Sequence, residues 1–357
     1  MRLRRLLAAA GLPVPTGGAD PDVTEAVFDS RRARPGAVFV AIPGERSDGH
    51  AFAAAAVEAG AVAVVAERSL DLRGRAPVIV VPDARAALAP LAARLAGDPS
   101  GSMCVAGVTG TDGKTTTATM LHAAWRAAGI PAASLTTVDF RTLDRVEPNR
   151  TRQTTQEAPD LQARLRSALD AGVTHAALET SSHALALHRV DAVEFRVAVV
   201  LRVTSEHLEL HGTREAYLEA KASLVDRVAS QPGGIAVLDA DDTWAGPRLA
   251  RTAVPVRLRF SAAGDPAADL RAEAVEARAA GVRFTARTPW GEAPVALRLA
   301  GRFNVANALA ALAAACATGA PLGAAVAGLE RLDRVGGRME RVDLGQPFTV
   351  VVDYAHT

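Results

Sequence analysis

The sequence is poor in cysteine, in aromatic residues and in lysine. Two cysteines in 357 residues, Cys104 and Cys316, exclude a disulfide framework. Each lies in an apolar context and reads as a buried thiol in a reducing compartment. Aromatics make up 4% of the chain, so alanine, valine and leucine must do the packing in a sequence that is 49% apolar. Neither sign of charge dominates. The formal net charge is +1, and nothing global points to nucleic acid or to a membrane surface. A clean membrane span is also lacking. Residues 303–329 carry no charge and are long enough, but they are mostly alanine, and Gly319, Pro321 and Gly323 divide them. They predict a pair of buried helices. The N-terminal "MRLRRLLAAAGLPVP" has a basic start and a short apolar run, as a secretory signal does. Gly11, Pro13 and Pro15 close that run early. The expectation is a cytoplasmic protein.

Lysine is scarcest where it should be common. Of 40 basic side chains, 38 are arginine, and lysine stands only at 114 and 221. Codon composition explains such a bias without function. It also marks Lys114 and Lys221 as candidates for chemistry that a permanently charged guanidinium cannot do.

Residues 23–83 alternate short apolar strands, "GAVFVAI", "AVAVVAE" and "APVIVVPD", with a helix-like stretch at 50–60, which predicts an α/β unit. A helix over 83–97, capped by Asp83, closes it. "GDPSGS" (97–102) reads as a linker, and a domain boundary is expected there. A second α/β run starts at "MCVAGVTG". Apolar runs ending in polar residues follow at 175–180, 197–203 and 234–242, and ligands gather at such strand ends in parallel sheets. Alternating patterns over 254–300 suggest antiparallel strands decorating the sheet. "FNVANALAALAAACATG" reads as a helix, and "FTVVVDYAHT" (348–357) as a strand.

"GVTGTDGKTTT" (107–117) joins a predicted strand to a predicted helix. Glycines let backbone N–H groups approach phosphate oxygens, and the helix N-terminus adds a favourable dipole. Lys114 can reach the outer phosphates and Thr115 can ligate Mg²⁺. The spacing departs from the standard P-loop: Val108 stands where that pattern wants glycine, flanked by Gly107 and Gly110. A glycine-rich turn without a ligand is the plain alternative. Lys221 taken alone reads as a surface lysine. "LETSSH" and "SEHLELH" alter that reading, because both follow strands. Strands shared with the phosphate loop would let Glu179, His207 and Lys221 converge on it. An uncharged lysine amine can also react with CO₂ to give an anionic carbamate, which arginine cannot. His207 and His211 are four apart, as zinc on a helix face would want, but Leu208 follows His207 and the HExxH order is not met.

In chain order, "DSRRARPGAVFVAIPGERSDGHAF", "GVTGTDGKTTT", "TTQEAPDLQ", "LETSSHALALHRVDAVEF", "HLELHGTREAYLEAKASL", "LAGRFNVANALAA", "GGRME" and "DYAHT" together resemble the Mur ligase family over nearly the whole chain. The resemblance implies a uridine-binding N-terminal α/β domain (1–98), a mostly parallel-sheet P-loop ATPase domain with added antiparallel strands (99–337), and only the first strand (338–357) of a third, Rossmann-like domain. It implies ATP-dependent amide-bond formation through an acyl phosphate. The nearest branch adds a diamino acid to UDP-N-acetylmuramoyl-L-alanyl-D-glutamate in peptidoglycan synthesis, as a soluble, monomeric protein with no nucleic-acid or membrane partner. Carried over by motif, the phosphate loop is Gly110, Thr111, Asp112, Gly113, Lys114, Thr115 and Thr116. Asn304, Asn307, Arg338 and Asp353 match nucleotide contacts. Thr115, Glu179, His207 and a carbamylated Lys221 match the Mg²⁺ ligands. Gln153, Thr154, Thr155, Ser181 and Arg189 match contacts to the muramoyl peptide, and Ser30, Glu45, Arg46 and Ser47 the uridine-diphosphate site.

Three departures stand out. Arg202 replaces a family asparagine, Glu206 and Glu209 replace aspartates, and Asp112 replaces an asparagine in the loop. Without the third domain to close over the site, ligation would be poor. The rivals are a folylpolyglutamate synthase or cyanophycin-type ligase, a degenerate nucleotide-binding protein, and a plain P-loop NTPase. The last explains neither Lys221 nor the N-terminal domain.

Overall fold

The computed structural model describes residues 1–354 except 45, 46, 152, 279, 343, 347 and 349. The chain forms two compact units. The first comprises residues 1–102, 156–167 and 184–193, and the second comprises 103–155, 168–183 and 194–357.

The first unit holds helix α1 (Leu3–Ala9), strands β1 (Glu25–Val27) and β2 (Ala37–Val40), helix α2 (Ala53–Glu58), strands β3 (Ala63–Ala66) and β4 (Val78–Val80), and helix α3 (Ala84–Ala96). The strands pair in parallel in the order β1-β2-β3-β4. Both faces are covered, so the strands read as unbroken apolar runs. Along β2 successive residues go to opposite faces: Val38 and Val40 join one cluster with Leu3, Leu6 and Leu7, while Ala37 and Phe39 join another. The apolar N-terminal run thus belongs to this unit's core. Asp83 caps α3, its Oδ1 accepting from Ala86 N at 2.9 Å. "GDPSGS" ends where the first unit's opening segment ends, at Ser102, and its Pro99–Ser102 form a 3₁₀ turn in which Pro99 and Ser100 are buried.

The second unit begins with β5 (Cys104–Thr109), α4 (Lys114–Ala127), β6 (Ala132–Leu135), β7 (Asp139–Thr142) and β8 (Arg145–Pro148). Helix α5 (Ala158–Asp170), whose residues 158–167 belong to the first unit, β9 (His175–Glu179), α6 (Ser182–Ala186), whose residues 184–186 belong to the first unit, β10 (Phe195–Val200), α7 (Leu208–His211) and α8 (Arg214–Ala229) follow. Next come β11 (Ile235–Asp239), α9 (Gly246–Leu249), β12 (Val256–Ser261), β13 (Leu270–Arg278), β14 (Gly281–Thr288) and β15 (Gly291–Leu297). Helices α10 (Asn304–Ala317) and α11 (Leu322–Arg331) and a hairpin of β16 (Glu340–Val342) and β17 (Val350–Val352) complete it. The strand read at 348–357 is therefore shorter, and 355–357 lie outside the described residues. Eleven strands form one sheet, β15-β14-β13-β12-β11-β10-β5-β9-β6-β7-β8, parallel through β6 to β13 along that order and antiparallel at both ends.

The scarcity of aromatics shapes this core. Alanine-rich α10 is buried along almost its whole length, against α4, α11 and the sheet. Small side chains let these helices approach closely. At Gly328 on α11 an added β-carbon would lie 2.4 Å from Ala123 O, so that crossing demands glycine. The few large residues are well used: Trp125 is fully buried and its Nε1 donates to Thr318 Oγ1 at 2.8 Å. Each fully buried side chain of leucine or phenylalanine size contributes roughly 1.5–3 kcal/mol. Both cysteines fit the reading of inert thiols, with burial pushing each up to about 11. No described helix is long and apolar enough to cross a membrane.

Candidate functional site

Strand β5 is flanked by β10 on one side and β9 on the other. Val200 pairs with Thr109, and Glu179 with Val108, so three strands deliver their carboxyl ends to one edge. The turn at 110–113 leaves β5 there and α4 starts at Lys114. Thr111 N donates to Arg202 O at 2.8 Å, which ties the turn to the end of β10. Gly113 has φ +82°, and a β-carbon there would sit 2.2 Å from Asn307 Oδ1.

The two lysines meet on one carbonyl. Lys221 Nζ donates to Gly110 O at 2.7 Å, and Lys114 Nζ donates to the same oxygen at 3.1 Å and to Thr111 O at 2.6 Å. Lys221 is among the largest fully buried side chains, not a surface residue. Its amine lies 4.4 Å from the centre of the Tyr217 ring. Burial, and then the neighbouring Lys114 charge, hold its pKa well below the ordinary lysine value. Burial also lowers that of Lys114, against the pull of Glu179.

Glu179 is buried beside the loop. Its two oxygens accept from Thr115 Oγ1 at 3.1 and 3.0 Å, and Oε2 accepts from Thr137 N at 2.7 Å. Arg338 Nη2 also reaches Thr115 Oγ1, at 3.3 Å. Asp353 Oδ2 accepts from Met339 N at 2.6 Å, holding the chain next to Arg338. Asn307 Nδ2 donates to Asn304 Oδ1 at 3.0 Å, and Asn307 Oδ1 accepts from Thr117 Oγ1 at 3.3 Å. The loop from Thr111 to Thr116, Glu179, both asparagines, Arg338 and Asp353 line one cavity of about 760 Å³, a size that suits a small-molecule ligand.

Sequence reasoning missed part of the wall: Asp239, Asp241, Arg302, Phe303 and Tyr354 also line it. The acidic end of "GIAVLDADD" was the available signal. Arg202 points to this acidic edge: its Nη2 donates to Asp241 O at 3.4 Å and its Nε lies 4.0 Å from Asp239 Oδ2. Exposed Asp112 acts on both lysines as a favourable charge. Burial pushes the Asp239 carboxyl up to about 6. Its folded value lies above the unfolded one, so its contribution to stability is full below about pH 4 and is lost as pH rises through 6. Relative to wild type, Asp239→Asn should therefore gain about 2–3 kcal/mol between pH 4 and pH 7. Urea unfolding at both pH values measures this, and a constant difference would contradict it.

His207 does not lie on a helix face with His211. It precedes the four-residue α7 in a left-handed conformation, φ 56°. It joins the loop through Tyr217, whose ring is 6.5 Å from His207 and whose hydroxyl is 3.2 Å from Thr111 Oγ1. Near Glu179, Thr155 Oγ1 donates to Glu179 O at 2.8 Å and accepts from Ser181 N at 3.1 Å, while Thr137 Oγ1 donates to Thr154 Oγ1 at 3.1 Å. Gln153 O accepts from Asn149 Nδ2. These residues thus cluster at the same strand end. Ser30, Ser47 and Arg189 belong to the first unit, where Arg189 Nη2 pairs with Glu157 Oε1 at 2.8 Å. Glu45 and Arg46 lie outside the described residues.

Residues 108–315 match the Mur ligase middle domain, and residues 23–95 match the Mur ligase family, catalytic domain. The chain is 46% identical to the UDP-N-acetylmuramyl-tripeptide synthetase of Roseiflexus sp. (strain RS-1), covering all of this chain and 72% of that protein. It is 40% identical to the UDP-N-acetylmuramoyl-L-alanyl-D-glutamate–2,6-diaminopimelate ligase of Geobacter sulfurreducens, covering all of this chain and 70% of that one. A solved UDP-N-acetylmuramoyl-L-alanyl-D-glutamate–2,6-diaminopimelate ligase superimposes with a TM-score of 0.83 at 30% identity, over 100% of this chain and 72% of that chain. MurF from Thermotoga maritima, solved in complex with ADP, gives 0.64 at 25% identity over 90% and 69%.

Proposed function

The chain belongs to the Mur ligase family, and from that premise we propose that it is an ATP-dependent ligase adding a diamino acid to UDP-N-acetylmuramoyl-L-alanyl-D-glutamate. In this reaction a carboxylate oxygen of the sugar peptide takes the terminal phosphoryl group of ATP and ADP leaves. An amino group of the diamino acid then attacks the acyl carbon, and phosphate leaves as the amide forms. The observation that carries the reading is the pair of amines, Lys114 and Lys221, on the Gly110 carbonyl at the head of the phosphate loop.

Each residue has a task that its chemistry supports. The N-terminus of α4 and the loop N–H groups would hold the phosphates. Lys114, now bonded to loop carbonyls, would find better acceptors in phosphate oxygens. Asn304 and Asn307 would offer amide groups to the nucleotide at the cavity wall, which Arg338 and Asp353 also line. Thr115 and Glu179 present only oxygens, which suit Mg²⁺. The ion would supply positive charge beside the transferring phosphoryl group. Buried Lys221 is held toward its neutral amine, the form that adds to CO₂ with loss of a proton to give a carbamate. With Glu179 and His207, that anion would complete a second magnesium site. Gln153, Thr154, Thr155 and Ser181, which cluster at the strand end carrying Glu179, are assigned to the sugar peptide. Ser30, Glu45, Arg46 and Ser47 are assigned to the uridine diphosphate, and Arg189 to the muramoyl peptide.

The test is release of inorganic phosphate from ATP by this chain, and by one extended to the relatives' length, with Mg²⁺, the sugar peptide and a diamino acid. Release by the extended chain that requires both acceptors is expected. Release indifferent to the sugar peptide would make the protein a simple NTPase. Tight nucleotide binding without turnover in the extended chain would make it a binding protein.

A further inference from the structure

His183, His207 and Glu209 stand together outside the cavity just described, all in the second unit. One donor atom from each lies within 4.8 Å of the other two. The left-handed turn at His207 folds α7 back so that Glu209 Oε1 comes 3.2 Å from His207 Nδ1, and Glu206 Oε2 lies 3.6 Å from its Nε2. The His183 ring meets the His207 ring edge-on, with centroids 4.5 Å apart. A third imidazole, His211, is 6.0 Å from His183. Its Nε2 is buried and has no hydrogen-bond partner among the described residues. Two or three imidazoles and a carboxylate are the donors of zinc-class ions and poor donors for Mg²⁺. Tetrahedral bonds of about 2.0–2.1 Å need donors about 3.3 Å apart, so side-chain rotations would close the set.

We propose that His183, His207 and Glu209 form a site for a zinc-class transition-metal cation that holds His207 outside the nucleotide cavity. The site stands on these side chains alone; only its inhibitory consequence rests on the proposed ligase function. A zinc-class ion bound here would occupy the imidazole assigned to the magnesium site, and would slow turnover without competing for the phosphate loop.

Cobalt(II) is the probe, because its visible ligand-field bands report nitrogen ligation directly. The nucleotide-free chain should show a saturable spectrum at one ion per chain, displaced by Zn²⁺ and untouched by excess Mg²⁺. His183→Ala should weaken binding at least tenfold. Should that variant fail to fold by circular dichroism, Glu209→Gln, at an exposed position, carries the same expectation. Glu179→Gln should retain the spectrum. Absent bands, undiminished binding by the His183 or Glu209 variant, or loss of the spectrum in Glu179→Gln would overturn the site; the last result would put cobalt beside the phosphate loop instead. Zn²⁺ should also lower phosphate release by wild type more than by His183→Ala. Equal inhibition, with the cobalt spectrum intact, would overturn the inhibitory consequence and leave the site standing.

Discussion

Replacing Lys221 by alanine is expected to slow ATP-dependent ligation by about a thousandfold or more, and formate or acetate should restore part of the rate. The side chain is buried, its amine is 2.7 Å from Gly110 O, and a second cation shares that oxygen. A protonated amine is costly there, and the folded protein disfavours it. Conversion to a carbamate reverses the sign of the charge beside Lys114 and turns repulsion into attraction. A small carboxylate diffusing into the space left by alanine can imitate that anion, whereas it cannot imitate an ammonium. The same residue carries a stability signature. Its folded pKa lies below its unfolded value, so without the carbamate it destabilises the fold fully below the folded pKa, and the penalty fades as pH climbs toward the ordinary lysine value. Lys221→Met should accordingly raise the melting temperature of carbonate-free, nucleotide-free protein at neutral pH while lacking activity. A rate within tenfold of wild type for Lys221→Ala, or a deficit that carboxylates leave untouched, would remove the carbamate from the proposed mechanism.

Gly113→Ala should weaken nucleotide binding by at least a hundredfold and destabilise the protein by about 2–4 kcal/mol. The left-handed backbone at φ +82° costs a β-carbon about 1–2 kcal/mol. The new methyl would also sit 2.2 Å from Asn307 Oδ1 and 3.1 Å from Leu201 Cδ1, and such overpacking costs about 1–3 kcal/mol. The cheapest escape moves the Asn307 amide, which breaks its bonds to Asn304 and Thr117 and removes a group that lines the cavity. Calorimetric titration with a nonhydrolysable ATP analogue, alongside urea unfolding, checks both effects. Wild-type affinity would show that the turn relaxes without involving Asn307.

Much of this was legible in the sequence because the signals are local. Apolar runs ending in polar residues mark parallel strands, and they locate Glu179 and the segment carrying His207 at the ends of the strands flanking β5. Charge-free 303–329, with its glycines and proline, reads correctly as two buried helices. The β6–β7–β8 meander was not legible, since "AASL" and "DFRT" are too short and too mixed to outweigh their surroundings. Nor was the placing of His207 off the helix face of His211, because helical spacing presumes a helix and His207 precedes one. Asp239 reaches the cavity from the end of β11, and Arg302 and Phe303 reach it from the turn before α10, far along the chain, and no spacing rule connects them. Arg202, which stands where the family has asparagine, lines the cavity and also extends to Asp239 and Asp241, a pairing that only the sheet order reveals.

Helix α10 is both a wall and a keystone. Its first turn supplies Asn304 and Asn307 to the cavity, and its remaining turns fill the middle of the second unit's interior. Ligand occupancy and cohesion of the whole unit are therefore thermodynamically linked: a nucleotide that grips those amides braces the alanine-rich packing behind them by RT ln(1 + [L]/Kd). In a chain with so few large side chains to lock its interior, cellular nucleotide supply would act as a structural reinforcement as much as a source of phosphate.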